Sequence, residues 1–307
     1  MDILQIVNHI EVTNYTVLIN RHNVAVVRGT YKNGDALIKI FGKREAYERE
    51  VECNKLLTAH NLRVPPLIDA LQVDSYFIMV QKWLESVPLD QWYPKLTLEQ
   101  QVHVMNQAGA SLSQMQFSIS TIELSQSKFW HRFEHNDFSE FSWKQYIYSQ
   151  YDKWKGRIKF TEIDLQLGLD QMVNDVGIAI EGIDSVERIT ILHCDFIFRN
   201  LLVSTETNNL LAIIDFENAL IGDPLYDLAK LTWVDLDPKK DQQQIQALIQ
   251  GWNKYADTKF DHSIFNTYQA LQAIAAISWV DKQEELSESN YAYRNRAIQF
   301  ISNLLVR

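Results

Sequence analysis

Along the first third of the chain, apolar and polar positions follow the period of strands. Val24-Ala25-Val26-Val27-Arg28 and Ala36-Leu37-Ile38-Lys39-Ile40-Phe41 are β-rich runs, and Asn33-Gly34 between them is a strong hairpin signal. Residues 15–19 add a strand beside them. The period then changes over 43–59, where Ala46, Cys53 and Leu57 share one face of a predicted helix, with Val51 close by. Glu50 falls on that apolar face. Val64-Pro65-Pro66 breaks the pattern, and 67–71 and 76–80 read as two more strands around a turn at Asp74. A small antiparallel sheet carrying one helix is expected.

From Thr97 onward the chain is mainly helical, with helix-like periods over 97–117, 143–155, 240–256, 264–280 and 290–306. The exception is 189–216, where 189–192, 201–204 and 210–214 look like short strands around irregular turns. No repeat and no flexible linker is visible. The expected class is therefore α+β in two lobes, residues 1–83 and 84–307, with the boundary between Gln81 and Glu85.

Composition narrows the classes of function. At 307 residues and 46% hydrophobic content, the chain can bury a large core without staples. Two distant cysteines, Cys53 and Cys194, argue against a secreted disulfide scaffold and for a reducing cytoplasm. The start, Met1-Asp2-Ile3, does not read as a signal peptide. The stretch 271–280 is too short to span a bilayer and contains Gln272, so no membrane association is expected. The formal net charge of −10 disfavours nucleic acid as a partner. Of the 39 acidic residues, 30 follow residue 83, against 19 basic ones there.

The densest chemistry lies in His193-Cys194-Asp195-Phe196-Ile197-Phe198-Arg199-Asn200 and in Asp215-Phe216-Glu217. With a turn centred between Thr207 and Asn208, 201–204 and 210–214 pair as a hairpin and Asn200 faces Asp215 at its open end. A carboxylate beside an amide oxygen is a hard-oxygen site suited to Mg²⁺, which borrows further ligands from nucleotide phosphates. Asp195 would lie over that site, placed to accept a proton from a hydroxyl attacking a γ-phosphate. Read singly, each of the three is an ordinary turn residue. Their joint spacing is what carries the reading.

His-x-Asp-x4-Asn followed by Asp-x-Glu resembles the paired motifs of the aminoglycoside phosphotransferase and choline kinase superfamily, relatives of protein kinases. The continuation Ile213-Ile214-Asp215-Phe216-Glu217-Asn218-Ala219-Leu220-Ile221-Gly222-Asp223-Pro224-Leu225-Tyr226-Asp227-Leu228-Ala229 resembles the antibiotic kinase branch. Within it, His193-Cys194-Asp195-Phe196 and Leu231-Thr232-Trp233 look most like the hygromycin phosphotransferases. Asp223 and Pro224 suit a helix start just behind the site. In the first lobe, Lys39 in an apolar strand needs a partner, and Glu50 on the apolar helix face can be one, the arrangement by which kinases hold α- and β-phosphates.

The resemblance implies a bilobal protein-kinase-like fold and transfer of the γ-phosphoryl of ATP, with Mg²⁺, to a hydroxyl of a small molecule. Asp195 would be the base, Asn200 and Asp215 the metal ligands, and Lys39 and Glu50 the phosphate holders. The adenine would meet backbone at Val80, Gln81, Lys82 and Trp83, and Arg199 is a candidate for the γ-phosphate or a surface residue. Glu217 and Asp227 are expected to be structural. Two departures stand out. Many members carry Gly at the position of Cys194, and the turn Asn20-Arg21-His22-Asn23, where backbone amides would cover phosphates, has no glycine.

Three functions stay open: an antibiotic kinase acting on an aminoglycoside, a metabolite kinase for choline, homoserine or an amino sugar, and a nucleotide-binding pseudokinase. Asp235, Asp237, Asp281, Glu284, Glu285 and Glu288 point to a cationic acceptor if they wall the cleft. Trp233, Trp252, Tyr255, Trp279, Tyr291 and Tyr293 could form a quaternary-ammonium cage, although aromatics at helical spacing are usually core. His131-x-x-Glu134-His135 fits a zinc pattern in a polar stretch, where a solvated connector is the better reading. No P-loop or Gly-x-Gly-x-x-Gly motif occurs. Oligomeric state is not legible from the sequence.

Overall fold

The computed structural model describes residues 3–127, 140–183, 186 and 188–305. The chain runs α1 (Ile3–His9), β1 (Thr13–Arg21), β2 (Val24–Tyr31), β3 (Gly34–Phe41), α2 (Arg44–Ala59), β4 (Leu67–Val73) and β5 (Tyr76–Lys82). It continues with β6 (Val87–Pro88), α3 (Leu89–Trp92), α4 (Leu98–Phe117), α5 (Thr121–Gln126), α6 (Trp143–Lys155), α7 (Glu162–Gln166) and α8 (Leu169–Glu181). Then come β7 (Thr190–Leu192), β8 (Leu201–Val203), β9 (Leu210–Ile213), β10 (Leu220–Gly222), α9 (Leu225–Asp235), α10 (Gln242–Trp252), α11 (His262–Asp281) and α12 (Glu288–Leu305). A mixed α+β architecture results, an antiparallel sheet first and a mainly helical body after it.

The first sheet has the order β1-β2-β3-β5-β4 and is antiparallel throughout. Its two faces are set by strand alternation. Ala36, Ile38, Ile40, Ile78 and Val80 face α1, whose Ile3, Ile6 and Val7 complete that core with Ile10 just beyond it. Phe41 and Met79 face the α2 side, against Val51. Lys39 shares that face by parity, so its side chain is directed at α2. The sequence expectation of one helix omits α1, although Ile3, Ile6, Val7 and Ile10 follow helical spacing. The β2–β3 turn also differs by one residue. Lys32 and Asn33, with φ of 47° and 65°, form the two-residue corner and Gly34 already pairs with Tyr31.

Packing does not respect chain order. Cys53 and Leu57 of α2, with Leu62 after it, join the large core of the helical body rather than the core of the sheet. Nearby, the Ile213 amide donates to Arg63 O at 2.8 Å and the Arg63 guanidinium donates to Leu210 O. Within the helical body α4 and α10 cross closely. A Cβ at Gly251 would lie 2.0 Å from Asn106 O, and one at Gly109 1.9 Å from Leu248 O. Helix α4 starts on a capping box in which the Gln100 amide donates to Thr97 Oγ1 and the Thr97 amide to Gln100 Oε1. Among the described residues no helix is long and apolar enough to cross a membrane.

Candidate active site

The segment from His193 to Asn200 is an irregular loop whose amides are held from behind by α9. Asp227, fully buried, accepts the His193 amide on Oδ2 and the Cys194 amide on Oδ1, both at 2.8 Å. Eight residues on, Asp235 Oδ2 accepts the Phe198 amide at 2.8 Å. Burial raises both carboxyls, Asp235 to about 6. Asp223 caps the start of α9 as expected, since its Oδ1 accepts the Leu225 amide at 2.9 Å and Pro224 between them is already helical at φ −58° and ψ −26°. Cys194 has φ of 64°, a left-handed conformation that explains why glycine suits this position. His193 is fully buried. Its Nδ1 accepts the Asp195 amide at 3.2 Å, which leaves Nε2–H to donate to Ile214 O at 2.8 Å.

These bonds present Asp195 with two unlike oxygens. Oδ2 accepts from Arg199 Nη2 at 2.7 Å and from Asn200 Nδ2 at 3.2 Å. Oδ1 faces the Lys230 ammonium at 4.0 Å, an ion pair without a hydrogen bond. Asn200 is buried and spends its amide nitrogen on Asp195, also donating to the backbone oxygen at 2.8 Å. Its side-chain oxygen remains as an acceptor.

The β8–β9 register is not the one expected. Leu201 pairs with Ile213 and Leu202 with Ala212, then an irregularity moves Val203 opposite Leu210. The turn is centred between Glu206 and Thr207, one position earlier than expected, which shifts partners by two, and the extra residue Leu211 in β9 restores one of them. Asn200 therefore faces Ile214, whose amide it accepts at 3.0 Å, and not Asp215. Asp215 comes next in the left-handed conformation, φ 71°, and leaves the strand line toward Lys39.

Lys39 Nζ is 2.6 Å from Glu50 Oε2, 2.6 Å from Asp215 Oδ1 and 3.9 Å from Glu217 Oε2. Burial alone would lower the ammonium, but Glu50 and Asp215 outweigh it and hold it above its ordinary value. Burial raises Glu50 to about 7 against the pull of Lys39. Asp215 is held below the usual carboxylate range, the Lys39 charge overcoming its burial. Single carboxylate oxygens of Glu50, Asp215 and Glu217 lie within 4.8 Å of one another, a hard-oxygen cluster of the kind Mg²⁺ accepts. The Arg49 guanidinium donates to Glu217 O and fixes that turn to α2.

At the expected adenine edge, Val80 and Gln81 are buried in the sheet ladder opposite Ile38 and Leu37. The Lys82 amide donates to Pro66 O at 2.9 Å and the Trp83 amide to Asp35 O at 3.0 Å, so both donors are engaged. The Trp83 ring carries Arg28 over its face and bonds Glu85. The turn that lacks glycine is a two-residue corner, His22-Asn23, between Arg21 and Val24. Neither corner residue has positive φ, so the turn itself does not demand glycine.

Several other expectations change. Asp281 is buried and bonds the Arg294 guanidinium at 2.7 Å, with Asp164 on the same group, so it does not face an acceptor. One oxygen of Asp235 accepts the Phe198 amide and one of Asp237 the Lys239 amide. The six aromatics do not form one cage. Trp252 packs with Phe117 and Phe260, while Tyr293 lies between Trp233 and Trp279, and Trp233 already carries Arg296, 5.9 Å from its ring centre. His131, Glu134 and His135 lie outside the described residues. Sequence reasoning missed Lys230, a lysine in the buried run Leu228-Ala229-Lys230-Leu231, the same signal that singled out Lys39.

The chain superposes on aminoglycoside phosphotransferase APH(4)-Ia with a TM-score of 0.69 and 13% identity, covering 99% of this chain and 97% of that one. For spectinomycin phosphotransferase APH(9)-Ia in complex with ADP and spectinomycin the values are 0.67, 14%, 98% and 98%. For ADP-bound APH(2'')-Ib they are 0.64, 14%, 99% and 99%. At such identities the likeness shows the fold, which is kinase-like. A comparison with curated protein sequences finds no match. Residues 17–262, however, match the phosphotransferase enzyme family, APH. The chain belongs to that family, and is a small-molecule kinase.

Proposed function

We propose that the protein transfers the γ-phosphoryl group of ATP to a hydroxyl of a small molecule, with Asp195 as the base. The observation that carries this reading is the asymmetry of Asp195: two donors hold Oδ2 and leave Oδ1 to take the proton. The sheet and α2, within 1–83, would serve the nucleotide, and 84–307 would supply the base and the acceptor site. Lys39 and Glu50 would hold the α- and β-phosphates. The adenine would lie against the edge from Val80 to Trp83, met by carbonyl oxygens and the chain just beyond, since the Lys82 and Trp83 amides are engaged. Arg199 would neutralise Asp195 and border the γ-phosphate.

Mg²⁺ fits the donors present: the free side-chain oxygen of Asn200 and the Asp215 carboxylate, with Glu217 nearby. When bound, it would neutralise charge on the transferring phosphate oxygens. The hydroxyl gives its proton to Asp195 Oδ1 as its oxygen bonds phosphorus. The bond from phosphorus to the bridging oxygen breaks, and that electron pair leaves on ADP.

For the acceptor, the phosphotransferase neighbours, one of them holding spectinomycin, support an aminoglycoside-type antibiotic. A second reading, a metabolite acceptor, gains from the geometry. Three of the six carboxylates invoked for a cationic acceptor are engaged in internal bonds, and Lys230 stands beside the base. A cytoplasmic location agrees with the two free cysteines. Calorimetric titration with ATP, with and without Mg²⁺, followed by an ADP-release screen over aminoglycosides and hydroxylated metabolites, tests the whole. Asp195→Asn should bind nucleotide normally and turn over at least about a hundredfold more slowly. Equal turnover by that variant removes Asp195 from the role.

A further inference from the structure

One ammonium near the reacting centre has no part in the scheme above. Lys230 lies on α9 between Asp227 and Asp235, the two residues that hold the 193–198 loop. Its side chain is only 20% exposed, in a run where Leu228, Ala229 and Leu231 are fully buried. Keeping a charge there costs desolvation energy, and burial indeed lowers the ammonium from its ordinary value. Asp195, Cys194 and Asp235 favour its charge, while Arg199 opposes it. From α12, Arg296 and Tyr293 add a cation and a phenol near the same carboxylates.

The position of the ammonium is specific. It lies 4.0 Å from Oδ1, the oxygen of Asp195 that the internal bonds leave open, while Arg199 and Asn200 occupy Oδ2. Two atoms at that separation can each lie about 2.8 Å from one oxygen set to the side of the line between them. A hydroxyl placed there donates its proton to Oδ1 and accepts a hydrogen bond from Nζ. Its second lone pair is then free to attack phosphorus. The lysine would also repel any ammonium borne on the carbon next to that hydroxyl, at a distance of about 5 Å.

We infer that Lys230 is a specificity-determining residue of the acceptor site, gripping the reacting hydroxyl together with Asp195 and selecting hydroxyls whose neighbouring substituent is an oxygen rather than an ammonium. The inference rests on Asp195 as the base, and it adds a rule about the acceptor that applies to an aminocyclitol and a metabolite alike. On a molecule with several hydroxyls, the phosphorylated one is flanked by oxygens. Lys230 keeps its protons throughout the transfer, and the hydroxyl proton goes to Asp195 Oδ1.

The test uses the full chain and matched acceptor pairs, glucose with glucosamine and myo-inositol with 2-deoxystreptamine, together with hygromycin B. Coupled ADP release gives kcat/KM for the wild type and for Lys230→Met, Lys230→Gln and Lys230→Arg. Affinity for MgATP and the thermal midpoint report whether each variant is folded. Lys230→Met and Lys230→Gln should bind MgATP within twofold of wild type. Their ratio of kcat/KM for the hydroxyl member over the amine member should fall at least tenfold, with a rise in acceptor KM. Lys230→Arg should keep most of the wild-type ratio. A ratio unchanged within twofold in both Met and Gln variants overturns the inference while leaving the kinase reading intact. If no acceptor raises ADP release above the level of Asp195→Asn, the assignment of the base fails, and the inference fails with it.

Discussion

The Lys39 ammonium lies 2.6 Å from the Asp215 carboxylate, 176 positions later in the chain, and the same nitrogen bonds Glu50 at 2.6 Å. Three parts of the molecule, sheet, helix and loop, thus meet on one charge. Removing it leaves Glu50 buried beside another carboxylate. Lys39→Met should lose nucleotide affinity and cost about 3 kcal/mol or more of stability. The double variant Lys39→Met, Glu50→Gln should recover much of that stability, since neither buried charge remains, and none of the affinity. Urea unfolding with parallel ATP titrations checks both statements. Recovery of affinity in the double variant would refute the role of Lys39.

Asp215 supplies the complementary experiment. Asp215→Ala should abolish the Mg²⁺-dependent part of ATP binding while leaving a folded protein, because Glu50 still pairs Lys39. Titration of ATP at several Mg²⁺ concentrations reads this directly. Undiminished dependence on the metal would assign its ligands elsewhere.

Cys194 sits in the left-handed region at φ of 64°. A residue with a Cβ pays about 1 to 2 kcal/mol there, part of which glycine returns as unfolded-chain entropy. Cys194→Gly should therefore be neutral or stabilising by up to about 1 kcal/mol, whereas Cys194→Val should destabilise by about 2 kcal/mol. Denaturant midpoints for the two variants decide it. A clearly destabilised glycine variant would mean that the thiol makes contacts worth more than the strain.

Asp223 is buried, accepts from the Leu225 amide and from the Tyr268 hydroxyl, and burial raises its carboxyl to about 6. The folded value exceeds the unfolded one, so the folded state binds more protons between about pH 4 and 6. The stability contributed by this group is full below the unfolded value and is lost as pH rises through about 6. Relative to Asp223→Asn, the wild type should lose on the order of 2 to 3 kcal/mol over that interval. Parallel slopes for the two proteins would show that the carboxyl titrates normally.

Much of this was legible in the residues before the fold was known. A lysine in an apolar strand and a glutamate on an apolar helix face each require a partner, and each is the other's. The change from an antiparallel sheet to a mainly helical body follows from period alone. Register was harder. Neither the turn centre, between Glu206 and Thr207 where Thr207 and Asn208 are expected, nor the extra residue Leu211 has a signature in composition, and Asn200 stands opposite Ile214 where Asp215 is expected. Formal charge misled in a different way. Asp281 counts as one more negative residue, yet Arg294 neutralises it inside the body, a pairing that no local pattern reveals. Helices α1 and α8 are not among the expected elements, although their buried positions follow helical spacing.

The burial of α2 in the helical body has a consequence for control. In protein kinases the glutamate-bearing helix is a movable part, and its displacement turns catalysis off. Here Cys53 and Leu57 root that helix in the larger core, while Arg49 within it bonds Glu217 O and Arg63 just after it bonds Leu210 O. Swinging it outward would open a cavity in the body at a cost of several kcal/mol. The carboxylate of Glu50 is thus held in place whether or not substrates are present. An enzyme built this way has no off position of that kind, and its output follows the supply of nucleotide and acceptor.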